Sequence, residues 1–212
     1  MNQLLNFRRE YSATEFSEEN ALHDPFQQFK NWLNDAVQSG IEDANAMVLS
    51  TAGKDLKPKS RIVLLKNVNS EGLSFFTNYN SNKALQIEEN PNVSLLFPWQ
   101  LLDRQVRIEG TAEKVSPEES DEYFISRPEG SRIGAWASPQ SRIIPSRKYL
   151  EEIEQELKAK FIARSLPRPL YWGGYRVIPE LFEFWQGRSN RLHDRLEYYR
   201  NNGNWKIRRL AP

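Results

Sequence analysis

The sequence predicts a mainly β protein, one β-barrel with peripheral helices, and three observations support this fold class. Short apolar runs rich in β-branched and aromatic residues fill residues 46–115 and 171–210, separated by turn clusters. Helical patterns lie before, within and between these two stretches. No low-complexity linker or internal repeat divides the chain, and closing the sheet removes exposed strand edges.

Composition limits the possible chemistry. A chain of 212 residues with 39% hydrophobic residues can bury one full core, and its 29 basic and 28 acidic residues nearly cancel. We therefore expect neither nucleic acid nor a membrane as a partner. The absence of cysteine excludes disulfides and thiol catalysis, and two histidines cannot build a histidine-rich metal site. With no signal-like or membrane-spanning run, we expect a soluble, cytoplasmic protein that needs an organic cofactor for any redox step.

The chain should begin with an arm and continue as a single domain. Residues 1–24 are polar and lack sustained periodicity, so we expect an arm or lid there, with the domain spanning residues 25–212. Asp24 and Pro25 are typical of a helix cap and first helical position, and Gly40 is the expected stop.

Strand periodicity begins at residue 46. The runs AMVLST, SRIVLLKN, LSFFTN, VSLLFPW and RQVRIEGTAEKV predict mostly antiparallel strands. Three helices are predicted around them, from Ser81 to about Glu89, from the capping box at Ser116 through Phe124, and from near Ser146. The runs YWGGYRVI, ELFEFWQG, RLEYYR and WKIRRL predict four further strands, with a hairpin at residues 202–203.

The most unusual stretch is FEFWQGRSNRLHDR, residues 182–195. If residues 191–195 are extended, Arg191, His193 and Arg195 point to one side, and such a cationic cluster needs an anion within it. A polar strand edge that prevents aggregation would explain the same residues. His23 has no catalytic-type neighbours, so we interpret it as structural or exposed.

Other cationic residues occur at the ends of predicted elements. Arg61 and Lys66 bracket an apolar strand and can meet one ligand only near its ends or around a bulge. Ser81 and Lys83 open a short helix, where free N–H groups favour a phosphate. Ordinary strand ends and a plain helix cap remain alternative explanations.

A third group contains Tyr123, Arg127 and Ser131. Tyr123 and Arg127 share a helix face if the helix extends that far, and hydroxyl and guanidinium groups suit phosphate oxygens. A helix C-terminus with a favourable cation is the alternative explanation.

Together these segments resemble the pyridoxamine 5'-phosphate oxidase family. SRIVLLK, FFTNYNSNKA, NPNVSLLFPW, RQVRIEG, SRPEGSRIGAWASPQS and YWGGYRV follow the family's order over nearly the whole chain, and FEFWQGRSNRLHDR resembles its C-terminal signature. The resemblance implies an FMN-binding split β-barrel, a homodimer with FMN at the subunit interface. It also implies an oxidase that makes pyridoxal 5'-phosphate from pyridoxine or pyridoxamine 5'-phosphate, with oxygen as acceptor and hydrogen peroxide as product.

The resemblance also implies the site residues, with no metal. FMN contacts are expected at Arg61, Ile62, Val63, Leu64, Leu65, Lys66, Phe76, Thr77, Asn82, Lys83, Gln105, Gln140, Ser141, Trp185 and Arg195. Substrate contacts are expected at Arg8, Tyr11, Lys66, Tyr123, Arg127, Ser131, Arg191 and His193, of which Arg191 and His193 would be catalytic. Asn82 stands where relatives often carry arginine, which should weaken phosphate binding modestly. The alternatives are a flavin oxidoreductase with another substrate and a non-catalytic carrier.

Overall fold

A computed structural model describes residues 10–11, 14–161 and 166–212, which form one nine-stranded antiparallel sheet curled into a half-barrel with five α-helices. The predicted fold class is confirmed. No helix in the described part is long and apolar enough to cross a membrane. The elements run in chain order as α1 Pro25–Gln38, β1 Ala46–Ala52, β2 Pro58–Leu64, β3 Asn67–Asn69, β4 Gly72–Asn78, α2 Asn82–Glu89, β5 Asn92–Trp99, β6 Arg104–Lys114, α3 Pro117–Ser126, α4 Glu129–Ala137, α5 Arg147–Lys160, β7 Trp172–Gln186, β8 Asp194–Asn201 and β9 Asn204–Arg209.

Helix ends and turns that were predicted from adjacent residues form as expected. The Asp24 side chain accepts from the Phe26 N–H at 2.9 Å, and Gly40 follows α1 with a φ of 83°. Asn202 and Gly203 have φ values of 50° and 82°, as expected for a tight turn between β8 and β9.

The sheet order is β2-β1-β5-β6-β7-β4-β3, and β8 and β9 continue from β7. The runs predicted as two strands, YWGGYRVI and ELFEFWQG, form the single strand β7, so that prediction was wrong. Its first half pairs with β4 and its second half with β8, while β6 runs beside both. The register shifts between Glu109 and Gly110, where Gly110 lies opposite Pro179. A proline is tolerated within a strand at such an irregularity, because it cannot donate to the ladder.

The loop after β7 is not extended, which corrects a second expectation. Residues 189–191 form a 3-10 turn, in which Asn190 and Arg191 have φ values of 54° and 59°. Since β8 begins only at Asp194, strand alternation does not set the direction of Arg191. The elements β3 and α4 were also not predicted. Pro128 precedes α4 without a capping hydrogen bond, and α4 contains two glycines.

Two of the described residues before α1, Phe16 and Leu22, contact the helix and strands that follow. Phe16 is 5% exposed, with its ring centroid 4.9 Å from that of Trp32 and 6.1 Å from that of Phe184. The Tyr198 hydroxyl donates to the Leu22 carbonyl at 2.7 Å. The division into an arm and one domain stays a prediction.

The shift opposite Pro179 requires glycine at position 110. A Cβ there would collide with the Ile178 carbonyl oxygen and lie 3.0 Å from Pro179 Cα, and backbone atoms cannot move aside easily. We expect Gly110→Ala to lower the free energy of unfolding by about 1–3 kcal/mol. Gly130→Ala is the control, because nothing lies within 4 Å of a Cβ there. Urea unfolding at equal protein concentration checks this, and equal stability of the two variants would contradict it.

Candidate functional site

A cavity of about 670 Å³ lies between β2, β4, α3 and α4, a volume within the usual range for small-molecule sites of roughly 300–1,000 Å³. It brings together many of the predicted contacts, although they come from distant parts of the chain. Its lining residues are Arg61, Ile62, Val63, Leu64, Lys66, Phe76, Thr77, Asn78, Lys83, Tyr123, Arg127, Pro128, Ser131, Gly134, Ala135, Ser138, Gln140 and Trp172.

One part of the lining holds two cations without a counter-ion. Lys83 Nζ donates to Thr77 Oγ1 at 3.0 Å and Gln140 Oε1 at 3.1 Å, both neutral oxygens. Arg61 Nη1 donates to Leu49 O at 3.0 Å. Among the described residues, neither cation forms a salt bridge with a carboxylate.

The pKa values show the electrostatic cost of this arrangement. Burial, and secondly the charge of Arg61, lower the pKa of Lys83 to about 8. Burial also lowers the pKa of Arg61. An anionic ligand would relieve both effects, because it favours the charged form of each group.

Both cations are oriented by elements around them. Arg61 lies on the edge strand β2, and its Nη1 donates to Thr51 Oγ1 on β1 at 2.7 Å. Thr51 is 2% exposed and donates in turn to Gln86 Oε1 on α2 at 2.7 Å. Lys83 lies in the first turn of α2, whose cap is Ser81. The predicted helix start at Ser81 forms, and it places Lys83 beside a helix N-terminus.

A second part of the lining combines aromatic rings with Arg127. The Phe76 and Tyr123 ring centroids lie 3.9 Å apart in a stacked arrangement. The Arg127 guanidinium lies 4.5 Å from the Trp172 ring centroid, a distance typical of cation–π contact. Arg127 Nη1 is buried and has no hydrogen-bond partner among the described residues. Since buried polar groups nearly always have partners, this atom indicates a place for a ligand acceptor.

The local structure here differs from the helix-face prediction. Helix α3 ends at Ser126, and Arg127 is its extended C-cap, with a ψ of 148°. Tyr123 and Arg127 nevertheless line the same cavity, as does Ser131 from α4. Burial lowers the pKa of Arg127.

Lys66 joins the two parts of the lining. Strand β2 ends at Leu64, so Lys66 follows the strand and lines the same cavity as Arg61. Arg61 lies in the middle of β2, so the prediction that Arg61 and Lys66 bracket the strand was wrong for Arg61, although both residues line the cavity. The Lys66 Nζ lies 6.0 Å from the Tyr123 ring centroid.

Trp172 is a lining residue to which sequence reasoning assigned no role. The sequence feature that could have identified Trp172 is its position before two glycines, Gly173 and Gly174. A Cβ on Gly174 would lie 2.8 Å from Phe76 Cε1, so glycine leaves room for that ring. The other lining residues without an assigned role are Asn78, Pro128, Gly134, Ala135 and Ser138.

Several predicted residues lie beside this cavity without lining it. Leu65 is 5% exposed within the hydrophobic core, and its N–H donates to Asn45 O at 2.9 Å. Asn82 and Ser141 are exposed neighbours in sequence of Lys83 and Gln140. Arg8 lies outside the described residues.

A second group of predicted residues lies apart from the cavity. Gln105, Trp185 and Arg195 are successive register partners across β6, β7 and β8. The His193 ring centroid is 4.6 Å from that of Trp185, and Tyr11 contacts both rings at 5.7 Å and 5.4 Å. Arg191 is exposed on the adjoining turn and also does not line the cavity.

The hydrogen bonding of His193 defines its tautomer. The Arg188 backbone N–H donates to His193 Nδ1 at 3.1 Å, so the neutral ring carries its proton on Nε2. Burial, followed by the charge of Arg191, lowers the pKa of His193. His193 is therefore a hydrogen-bond donor through Nε2. No cluster of potential metal ligands occurs among the residues the structure describes.

Comparisons with known proteins agree over nearly the whole chain. Residues 33–157 match the family described as pyridoxamine 5'-phosphate oxidase, and residues 172–212 match a pyridoxine 5'-phosphate oxidase C-terminal dimerisation region. A pyridoxine/pyridoxamine 5'-phosphate oxidase of Cupriavidus pinatubonensis is 51% identical over 213 residues, covering 100% of both chains. One of Rubrobacter xylanophilus is 52% identical over 99% of this chain and 96% of its own.

Solved structures share the fold. PhzG from Burkholderia lata 383, in complex with tetrahydrophenazine-1-carboxylic acid, has a TM-score of 0.89 at 31% identity and covers 94% of this chain and 98% of its own. An FMN-binding protein of Nostoc punctiforme has a TM-score of 0.71 at 16% identity, covering 91% of this chain and 100% of its own. The second likeness concerns the fold alone.

The lowered pKa of Lys83 predicts how FMN binding depends on pH. A phosphate monoester has a second pKa of about 6 and is a dianion above that pH. Raising the pH through about 8 deprotonates Lys83 in the ligand-free protein, so FMN affinity should fall there if Lys83 contacts the FMN phosphate as the resemblance implies. Lys83→Arg should lose this dependence, because guanidinium does not titrate in this range. Flavin fluorescence titrations from pH 7 to 9.5 check this, and parallel profiles for the two proteins would contradict it.

Proposed function

The chain belongs to the pyridoxamine 5'-phosphate oxidase family, and from this premise we propose that it is an FMN-dependent oxidase of vitamin B6 metabolism. It converts pyridoxine 5'-phosphate or pyridoxamine 5'-phosphate to pyridoxal 5'-phosphate. The observation that supports this function best is one cavity with two separate groups of cationic and hydroxyl side chains, each suited to a phosphate. The proposed electron acceptor is oxygen, which yields hydrogen peroxide.

The first group fits the FMN phosphate. Arg61 and Lys83 present two cations with no carboxylate partner in the described structure, and Thr77 and Gln140 add polar groups. Such a donor set favours a doubly charged phosphate, which would restore the normal charged state of Lys83. The remaining FMN contacts would come from β2 and from Phe76.

The second group fits the substrate phosphate. Tyr123, Arg127 and Ser131 supply a hydroxyl, a guanidinium and a second hydroxyl, and the unpartnered Arg127 Nη1 lacks an acceptor. The Arg127 guanidinium also makes a cation–π contact with Trp172 at 4.5 Å, which would help to orient it toward the phosphate. Lys66, between the two groups, would contact both FMN and substrate.

The remaining predicted contacts support a composite site in a homodimer. Residues 172–212 match a dimerisation region, and this region carries Trp185, Arg191, His193 and Arg195. Ile62 in the cavity lining is 71% exposed and Leu192 beside His193 is 70% exposed, so both apolar side chains are accessible to a partner surface. In the dimer that we propose, the partner subunit completes each cavity with these residues of its dimerisation region.

The side chains would bind and orient the substrate, since bound FMN would supply the redox chemistry as the acceptor of a hydride from C4'. Arg191 stacks against the pyridine ring and orients it. His193 donates a hydrogen bond to the substrate from Nε2. Its Nδ1 already accepts the Arg188 N–H, which disfavours a role as proton acceptor. Tyr11 packs on Trp185 and His193, where it would exclude water.

The function is tested by the visible spectrum of purified protein reconstituted with FMN. Anaerobic pyridoxine 5'-phosphate should bleach the flavin absorbance, and air should restore it with formation of pyridoxal 5'-phosphate and hydrogen peroxide. A carrier would bind both compounds without bleaching. A flavin oxidoreductase with another substrate would bind FMN, but its flavin would stay oxidised after pyridoxine 5'-phosphate is added. Flavin that is not bleached would therefore reject the proposal.

The proposed roles of Arg191 and His193 predict a separation of turnover from cofactor binding. Arg191→Ala and His193→Ala should each lower kcat, on the order of 100-fold for a misplaced substrate, and retain bound FMN. Arg200→Ala is the control, because Arg200 on β8 contacts Trp205 and the Gly203 carbonyl. Steady-state kinetics and flavin content measure these effects. Full activity in both site variants would remove the assignment.

A further inference from the structure

We propose that Glu183 is a positioning residue that holds the Arg195 guanidinium in the orientation needed to contact FMN. The inference rests on the proposed function, since Arg195 is one of the proposed FMN contacts. Neither the composition nor the resemblance assigned a role to Glu183. The argument comes from three features of the sheet, which are the register of the strands, the hydrogen bonds of Arg195 and the burial of Glu183.

The register places Glu183 directly behind the proposed contacts. Gln105, Trp185 and Arg195 form one row across β6, β7 and β8. Glu183 precedes Trp185 by two residues on β7, so both side chains lie on the same face of the sheet. Glu183 is thus a diagonal neighbour of Arg195, within reach of a long side chain.

Two hydrogen bonds hold the Arg195 guanidinium at different atoms. Its Nε donates to Glu183 Oε1 at 2.8 Å, and its Nη1 donates to the Ala211 carbonyl at 2.7 Å. The Leu210 N–H donates to the Arg195 carbonyl at 2.9 Å, which keeps the segment after β9 beside Arg195. Because guanidinium is planar, two such bonds define its plane. Nη2 has no partner in the described part of the chain and can meet a ligand.

Glu183 is a rigid anchor because it is buried and held on both oxygens. Its side chain is 3% exposed, and its Oε2 accepts from Arg107 Nη2 at 2.5 Å and from Arg107 Nε at 3.2 Å. Burial alone would raise the pKa of Glu183, but the hydrogen bonds from Arg195 and Arg107 outweigh it and leave that pKa lowered. The carboxylate therefore stays charged, and unlike an exposed ion pair it has little freedom to move.

A purely structural role for this carboxylate is the competing explanation, and the sheet offers a matched control. Glu197 is the register partner of Glu183 on β8 and is 5% exposed. It pairs with Arg208, whose Nε donates to Glu197 Oε1 at 2.6 Å, and it makes no hydrogen bond or salt bridge with Arg195. Both carboxylates stabilise the same strands, but only Glu183 holds Arg195.

The experiment is a double-mutant cycle read by FMN affinity in fluorescence titrations of the full chain. Glu183→Gln should weaken FMN binding by about tenfold, the scale of one lost hydrogen bond to a charged group. Arg195→Gln should weaken it at least as much, and adding Glu183→Gln to Arg195→Gln should cause no further loss. Glu197→Gln should bind FMN as the unmodified protein does. Glu183→Asp, which keeps the charge and shortens the side chain, should also weaken FMN binding. It replaces Glu183→Gln in the experiment if that variant does not fold.

The outcomes separate this inference from the proposed function. Unchanged FMN affinity in both Glu183 variants, beside a weakened Arg195→Gln, overturns the positioning role alone. Equal losses in Glu183→Gln and Glu197→Gln, or additive losses in the double variant, overturn it in favour of a structural role. Unchanged affinity in Arg195→Gln removes Arg195 from the FMN site, and the positioning role fails with it.

Discussion

Positive charge held without a counter-ion is the constraint on which the site depends. Arg61, Lys83 and Arg127 lie partly buried in one cavity, and no carboxylate pairs with any of them among the described residues. Other arginines of the protein do have carboxylate partners, since Glu183 forms ion pairs with both Arg107 and Arg195. Carboxylates therefore pair with arginines on the sheet, including Arg195, whereas no carboxylate pairs with the cavity cations where phosphate is proposed to bind.

Strand β7 connects the cavity lining with the residues that are proposed to complete the partner's cavity. Its first residue, Trp172, makes a cation–π contact with Arg127 in the cavity, and near its other end Trp185 packs against His193. The strand continues through Pro179 because the register shifts at Gly110. One 15-residue strand thus supports both the proposed substrate phosphate group and the group proposed to reach the partner's cavity. A change in pairing along this strand would disturb both groups together.

Elements defined by neighbouring residues could be predicted, and elements defined by distant pairing could not. Asp24-Pro25 and Asn202-Gly203 act within one turn, so their structures follow from the local sequence. The continuity of β7 depends on β6, which runs beside both halves, and the sequence pattern alone suggested a break at Pro179. Helix α4 lacks a capping side chain, and its Ala135 packs in a hydrophobic cluster with Phe124 of α3 and with Trp172 of β7, which is distant in sequence.

The sequence by itself determined the fold class, the resemblance to an oxidase family, and the residue types able to bind phosphate. Only the tertiary structure decided which of those residues share a cavity. It placed Arg61, Lys83 and Arg127 together, put Trp185, His193 and Arg195 elsewhere in the protomer, and gave Arg191 a left-handed backbone in place of an extended one. The physical reason is that spacing along the chain sets local geometry, whereas strand register and helix packing set the distances between remote side chains.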